Sequence, residues 1–137
     1  RDCCCRAAAD EAIEDEIQDA RFVSYLQLHE FEALLFSAPQ TIDSIMVGSL
    51  PRSNLLAVRA AFGSPEEIDN NPDTCPSRRI LNEYPVYEKL LHGQMISESI
   101  GIQTVLDQCR HFSRWIEELK TICNPLPRTQ SQSNSLF

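Results

Sequence analysis

The sequence predicts a helix-rich α/β fold, on two observations. Residues 22–28 (FVSYLQL) are apolar on both alternating faces and rich in β-branched and aromatic side chains, which is typical of a strand buried inside a sheet. Most other apolar residues recur at helical spacing between prolines and glycines. We therefore expect one strong buried strand followed by several short helices.

Length and composition indicate one globular domain. The chain has 137 residues, of which 42% are hydrophobic and 23% charged. We expect residues 1–123 to form the domain and residues 124–137, rich in Pro, Ser, Gln and Asn, to be a disordered tail. A net charge of −8 excludes a protein that holds duplex nucleic acid through phosphate contacts alone. No apolar run reaches the ~20 residues that a membrane span requires.

The six cysteines favour a reducing compartment. Cys3, Cys4 and Cys5 are consecutive, the others are scattered, and no C-x-x-C pair occurs, which is unlike a secreted disulfide framework. A zinc site at the consecutive cysteines would lack the usual ligand spacing. Since no signal-peptide pattern is present either, the sequence predicts free thiols and a cytoplasmic protein.

An acidic helix is predicted near the start of the chain. Ala9, Ile13, Ile17 and Ala20 recur at helical spacing, so the neighbouring carboxylates point to the other side. Residues 1–50 hold ten acidic and three basic residues, a net charge of −7. We interpret this excess as a solvated helix face; a metal-binding or partner-binding acidic patch is the alternative.

The predicted strand at residues 22–28 needs neighbours, because one strand cannot form a sheet. Residues 42–50 are the best further strand candidate in the chain. Three arrangements are open: the sheet lies upstream of Arg1, a partner chain supplies it, or the segment joins a helical core. We favour the first, which makes the chain the C-terminal part of an α/β domain.

Short helices are predicted after the strand. The segment 31–36 is helical and Pro39 ends it. A helix at 55–62 is followed by Gly63, and the capping box Ser64-Pro65-Glu66-Glu67 starts another.

The helical pattern continues through the second half of the chain. A helix begins near Pro76 and stops before Pro85, and two more are expected at 87–91 and 95–100, each closed by a glycine. The last helix is the clearest, because its apolar residues form a wide stripe: Phe112, Trp115, Ile116, Leu119 and Ile122.

Five blocks of the sequence carry a resemblance to a known family. The most specific is YLQLHEFEALLFS at residues 25–37. The other blocks are FGSPEEI at 62–68, PSRR at 76–79, Tyr84-Pro85 with Tyr87, Lys89 and Gly93, and the group Cys109, His111, Phe112 and Trp115. Together they resemble a bacterial family named domain of unknown function 4276, over roughly residues 6 to 120.

The resemblance implies a Toprim-like α/β fold, in which an early glutamate and a later Asp-x-Asp bind Mg²⁺ for phosphodiester chemistry. It further implies an AAA/ABC-type ATPase partner and a restriction-associated or phage-defence locus. No Asp-x-Asp occurs in this chain. We therefore expect the segment that carries it to lie upstream of Arg1.

His29, Glu30 and Glu32 are the candidate catalytic residues, because they directly follow the predicted strand. Ligands bind at that edge of an open α/β sheet. Carboxylate oxygens suit Mg²⁺, so Glu30 and Glu32 are also the candidate metal ligands. The alternative is structural: His29 caps the following helix, and the two carboxylates favour its first turn.

A compact basic group near a helix N-terminus supplies the candidate phosphate-binding residues: Ser77, Arg78, Arg79 and Lys89. Guanidinium groups and helix N-termini both bind phosphate well. Salt bridges to Glu83 or Glu88 are the alternative. Of the other histidines, His92 is interpreted as a residue at a helix C-terminus, and His111, one turn from Trp115, as a core and cap residue.

The leading hypothesis is the C-terminal portion of a Toprim-like, Mg²⁺-dependent nuclease-type protein. It would act on nucleic acid together with an ATPase in a prokaryotic defence locus. The chain alone is then expected to be inactive, to bind Mg²⁺ no tighter than about the millimolar range, and to self-associate through the strand at 22–28. The alternative is a non-catalytic, partner-binding or regulatory module.

Overall fold

The computed structural model describes residues 2–27, 29–47, 53–68 and 71–123, and the side chains from Ala8 onward within them. These residues form eight α-helices and one 3₁₀ turn, at residues 65–67. The helices are α1 (Asp2–Ile17), α2 (Glu32–Leu35), α3 (Pro39–Val47), α4 (Leu55–Ala60), α5 (Pro76–Glu83), α6 (His92–Ile100), α7 (Ile102–Gln108) and α8 (Arg110–Cys123). The predicted tail at 124–137 lies outside the described residues.

The predicted α/β fold is wrong, because the described residues contain no strand. The segment 22–27 has no regular secondary structure, and two of its backbone N–H groups bond to side chains of α1 and not to a neighbouring strand. The Ser24 amide donates to the Glu14 carboxylate at 2.9 Å, and the Leu26 amide donates to the Asp10 carboxylate at 3.1 Å. Helix carboxylates therefore take the place of the expected sheet. Leu28, the last residue of the predicted strand, lies outside the described residues, and self-association through this segment stays a prediction.

The second candidate strand is also a helix. Residues 39–47 form α3, whose Ile42 is fully buried. The apolar residues Ile42, Ile45 and Met46 share one helical face, which explains the outcome. Pro39 begins this helix instead of merely ending the one before it, which suits a residue that lacks a backbone N–H. Residues 48–50 lie outside the described residues.

The other helix predictions were confirmed in part. α5 and α8 occur where they were predicted, and Gly101, with a φ of 75°, closes α6. The predicted helix at 87–91 is wrong, because residues 84–91 form turns that bring Tyr87 into the core. As a result α6 begins at His92, which is near the start of a helix and not near its end.

The core lies where α2 contacts α5, α6 and the 3₁₀ turn, and where α3 packs on α4 and α6. α2 is only four residues long, yet three of them are buried. The fully buried apolar side chains lie between residues 33 and 109: Ala33, Leu35, Phe36, Ile42, Leu55, Ile68, Ile80, Ile96 and Cys109. None of the helices in the described ranges combines the length and the apolarity needed to cross a membrane.

Candidate functional site

Glu30 binds the start of α5. Its carboxylate accepts hydrogen bonds from the Ser77 backbone N–H at 2.8 Å and from the Ser77 hydroxyl at 2.9 Å. Pro76 occupies the first helical position and has no N–H, so Ser77 offers the first free donor of the helix. A carboxylate is stabilised at a helix N-terminus. Glu30 therefore caps a helix that lies far along the chain.

The environment of Glu30 favours its charged form. Burial raises the pKa of this carboxyl, whereas hydrogen bonds from Ser77 and Cys75 and the charge of Lys89 lower it. Together these hydrogen bonds and this charge outweigh the effect of burial, so the pKa of Glu30 lies below its ordinary value. Glu30 is therefore an anion at neutral pH.

Glu32, the first residue of α2, is buried with 1% of its surface exposed. Its Oε2 lies 2.9 Å from Nζ of Lys89, whose side chain is 55% exposed. A buried carboxylate needs such a partner, because burial of an unpaired charge is very costly. Lys89 therefore neutralises Glu32 and still reaches solvent.

Tyr87 completes this junction of residues. Its pKa is raised above the ordinary value by burial and by the negative charges of Glu32 and Glu30. Gly93 on α6 allows the close approach: a Cβ there would lie 3.2 Å from the Tyr87 hydroxyl and 3.4 Å from the Phe31 ring. We call Glu30, Glu32, Ser77, Tyr87 and Lys89 the carboxylate junction.

The structure thus brings four of the seven predicted site residues together: Glu30, Glu32, Ser77 and Lys89. His29 is half-buried, and it does not cap α2, whose N-cap residue is Phe31 without a side-chain cap bond. Arg79 turns toward the Thr74 carbonyl oxygen and lies over the Phe62 ring, 5.7 Å from its centroid. Arg78 is exposed.

The junction as it stands does not fit a magnesium ion. Mg²⁺ requires oxygen ligands in near-ideal octahedral geometry. Both oxygens of Glu30 already accept hydrogen bonds from Ser77, and Glu32 is paired with an ammonium group. Within the described ranges no three metal-ligating side chains come together. An ion at these oxygens would compete with the Ser77 donors for Glu30 and with the Lys89 ammonium group for Glu32.

Glu66 is a buried carboxylate with a structural role that the sequence analysis did not reveal. It is 3% exposed, and its two oxygens accept hydrogen bonds from the backbone N–H groups of His111 and Phe112, each at 2.9 Å. Glu66 therefore caps α8, as Glu30 caps α5. The capping-box pattern located Glu66 correctly at a helix start, since Ser64 accepts the Glu66 N–H at 3.2 Å. No sequence pattern near Glu66 indicated that its carboxylate caps α8.

Asp43 is a second carboxylate that the sequence analysis missed. It lies on α3 with 1% of its surface exposed and accepts hydrogen bonds from the hydroxyls of Ser53 and Tyr84. Burial, together with the hydrogen bond to Asp43, raises the pKa of Tyr84 to about 12. Tyr84 is therefore a stable donor that ties the end of α5 to α3.

The carboxylates connect the sequence blocks that carry the family resemblance. The block at 25–37 meets the block at 76–79 through Glu30, and it meets the Tyr84–Gly93 block through Glu32. The block at 62–68 meets the last block through Glu66. Each block therefore contacts at least one other block through a carboxylate and a distant donor, and ring contacts such as Arg79 over Phe62 and Tyr25 on His111 join further pairs of blocks.

An apolar groove of about 270 Å³ is lined by Phe31, the residue between Glu30 and Glu32, and by side chains of four helices. α2, the end of α6, the first half of α7 and the start of α8 form its walls. Phe31 and Ile102, which are 39% and 59% exposed, lie on it, and Glu98 is its charged lining residue.

Three described cysteines, Cys75, Cys109 and Cys123, are free thiols, as predicted. Burial raises the pKa of Cys109 to about 11, so this thiol is unreactive at neutral pH. The side chains of Cys3, Cys4 and Cys5 lie outside the described part of the chain.

Comparison with known proteins gives one match. No curated protein and no solved structure matches the chain. A family model described as a domain of unknown function (DUF4276) matches residues 3–120, which include all five sequence blocks. The match covers most of the chain and confirms the resemblance that those blocks predicted. The chain belongs to the DUF4276 family.

Proposed function

We propose that this chain is a helical partner-binding module with no chemistry of its own. One observation carries the proposal: the carboxylates nominated for metal chemistry are already bound to donors within the protein. Glu30 holds the Ser77 amide and hydroxyl, and Glu32 holds the Lys89 ammonium group. Hydrogen bonds to charged groups contribute about 1.5–3 kcal/mol each, so displacing them would cost stability.

The apolar groove is the surface that such a module would offer. Monomeric proteins rarely leave an apolar cleft uncovered without a use for it. Glu98 in the groove and the net charge of −8 favour a partner segment that places a basic residue next to its apolar anchor. We propose an ATPase as that partner, which is what the family resemblance implies.

Copurification with the proposed AAA/ABC-type ATPase partner tests this function. Ile102→Lys places a charge in the groove at a position that is already 59% exposed, so the fold should persist. We expect this variant to weaken the complex at least tenfold. The matched control is Leu90→Lys, at a 90% exposed position that does not line the groove. An unchanged affinity of Ile102→Lys, or an equal loss in both variants, would rule out groove docking.

A metal-dependent nuclease is the second candidate, and the ionised Glu30 beside Glu32 and Lys89 favours it. Further ligands would have to come from outside the described residues. On this candidate the full-length protein, with its ATPase, cleaves DNA or RNA with Mg²⁺ or Mn²⁺ but not with Ca²⁺ alone.

Two variants distinguish a metal ligand from a helix cap at Glu30. Ser77→Ala weakens the cap of α5 and leaves the Glu30 carboxylate in place, whereas Glu30→Gln removes the charge. Cleavage that is lost in Glu30→Gln but kept in Ser77→Ala would identify a metal ligand. A stable ATPase complex whose activity survives both Glu30→Gln and Glu32→Gln would favour the partner-binding module.

A further inference from the structure

A polar cluster attaches α1 to the segment 22–27 and to α8. No other described helix packs extensively along α1. Asp10 is the centre of the attachment: its carboxylate accepts the Leu26 amide at 3.1 Å and the Ser24 hydroxyl at 3.3 Å. Glu14, one turn later, accepts the Ser24 amide at 2.9 Å. The acidic face of α1 therefore binds the segment 22–27.

His111 on α8 joins the same cluster from the other side. Its Nε2 lies 3.4 Å from Oδ2 of Asp10, and the two side chains are 17% and 14% exposed. The imidazole stacks on Tyr25, with the ring centroids 5.1 Å apart, and Tyr25 also stacks on Trp115 at 4.8 Å. The backbone N–H of His111 is fixed by Glu66. The imidazole therefore has little freedom to leave Asp10.

The charges around the imidazole are mostly negative. Besides Asp10, a polar cavity of about 160 Å³ next to His111 is lined by Glu11 and Glu14 of α1 and by Arg114 and Glu118 of α8. Arg114 is already paired with Glu118 at 2.8 Å. Glu66 adds a further negative charge on the backbone side. This arrangement favours a cation at the position of the imidazole.

We propose that Asp10 and His111 form a pH-dependent latch between α1 and α8. With the imidazole protonated, an ion pair with Asp10 joins the two helices. With the imidazole neutral, that ion pair is lost and the hydrogen bonds between α1 and the segment 22–27 remain. Release of α1 would uncover the stacked rings of Tyr25 and Trp115.

Amide hydrogen exchange of the full chain tests the latch, because the Ser24 and Leu26 amides donate directly to α1. After correction for the intrinsic pH dependence of exchange, we expect both amides to be about fivefold more protected at pH 5.5 than at pH 7.5. His111→Gln should remove this gain. His92→Gln, at a histidine on α6, is the matched control and should retain it.

Asp10→Asn is a second, independent test of the latch, because the asparagine amide keeps an acceptor oxygen but cannot form the ion pair with His111. Its protection should be equal at both pH values. Trp115 is the single tryptophan of the chain, so its emission reports whether each variant keeps the ring stack. Equal protection of the wild-type amides at both pH values, or a gain that persists in His111→Gln, would overturn the proposal.

Discussion

At the scale of single residues, acidic side chains act here as bonds between distant parts of the chain. Glu32, Asp43 and Glu66 are buried, Glu30 is half-buried, and each accepts hydrogen bonds from donors more than 40 residues away. A carboxylate offers two oxygens and can hold two donors at once. Burial of such a group is tolerated only where its partners are in place.

Glu66→Gln should destabilise the protein by about 2 kcal/mol, because the amide can accept only one of the two hydrogen bonds of the α8 cap. The expected result is a lower urea midpoint with an unchanged m-value. Glu67→Gln is the control: Glu67 is exposed and accepts a single bond from the Gly63 amide, which a glutamine oxygen can also accept. Equal midpoints for the two variants would show that the cap contributes little.

Glu30 makes stability depend on pH in the acid range. Its pKa is lower in the folded protein than in the unfolded chain, where the pKa of a glutamate is about 4.3. The stabilisation is therefore present above about pH 4.3 and is lost as the pH falls through the lowered folded pKa. The free energy of unfolding of Glu30→Gln should fall less steeply between pH 5 and the acid limit than that of the wild type. Parallel curves would contradict this assignment.

At the scale of elements, the helices with local signals were predictable and the contacts between them were not. Pro76 and Pro85 bracket α5, and the apolar stripe of α8 continues over about three turns, so both helices were predicted correctly. The strand prediction failed because α1 supplies carboxylates to the Ser24 and Leu26 amides. Nothing in the composition of residues 22–28 distinguishes a neighbouring strand from a neighbouring acidic helix as the source of these acceptors.

The candidate site shows the same limit. Glu30, Glu32, Ser77 and Lys89 were named from the sequence, and they do meet. Ser77 and Lys89 were expected to donate hydrogen bonds to a phosphate group. In the structure they donate to Glu30 and Glu32 instead. Spacing along the chain locates charged residues, but it does not show which opposite group fills their hydrogen-bonding capacity.

Tyr84→Phe tests the bond between α3 and the end of α5. It leaves Asp43 fully buried with the Ser53 hydroxyl as its remaining donor, so we expect a loss of about 2 kcal/mol. A double-mutant cycle with Ser53→Ala measures whether the two donors act together on Asp43. The two losses should not be additive, since both hydroxyls approach the same oxygen. Strict additivity would mean that Asp43 does not link them.

At the scale of the whole molecule, the hydrogen bonds to these carboxylates all join an earlier acceptor to a donor later in the chain. Glu30, Glu32, Asp43 and Glu66 all precede residue 69, and their distant donors all follow residue 76. The first part of the chain therefore supplies the acceptors, and the second part supplies the helix starts, the tyrosine hydroxyl and the ammonium group that satisfy them.

The chain should consequently behave as two complementary fragments. A cut after Asp73, in an exposed turn, separates every one of these acceptors from its distant donor without breaking any helix. We expect each fragment alone to show little helical circular dichroism, because its polar groups have lost their partners. Mixed in equal amounts, the fragments should recover the helical signal and elute as one complex. Independent folding of either fragment would show that the acceptors are dispensable; recovery only on mixing would make the protein a natural scaffold for a split reporter.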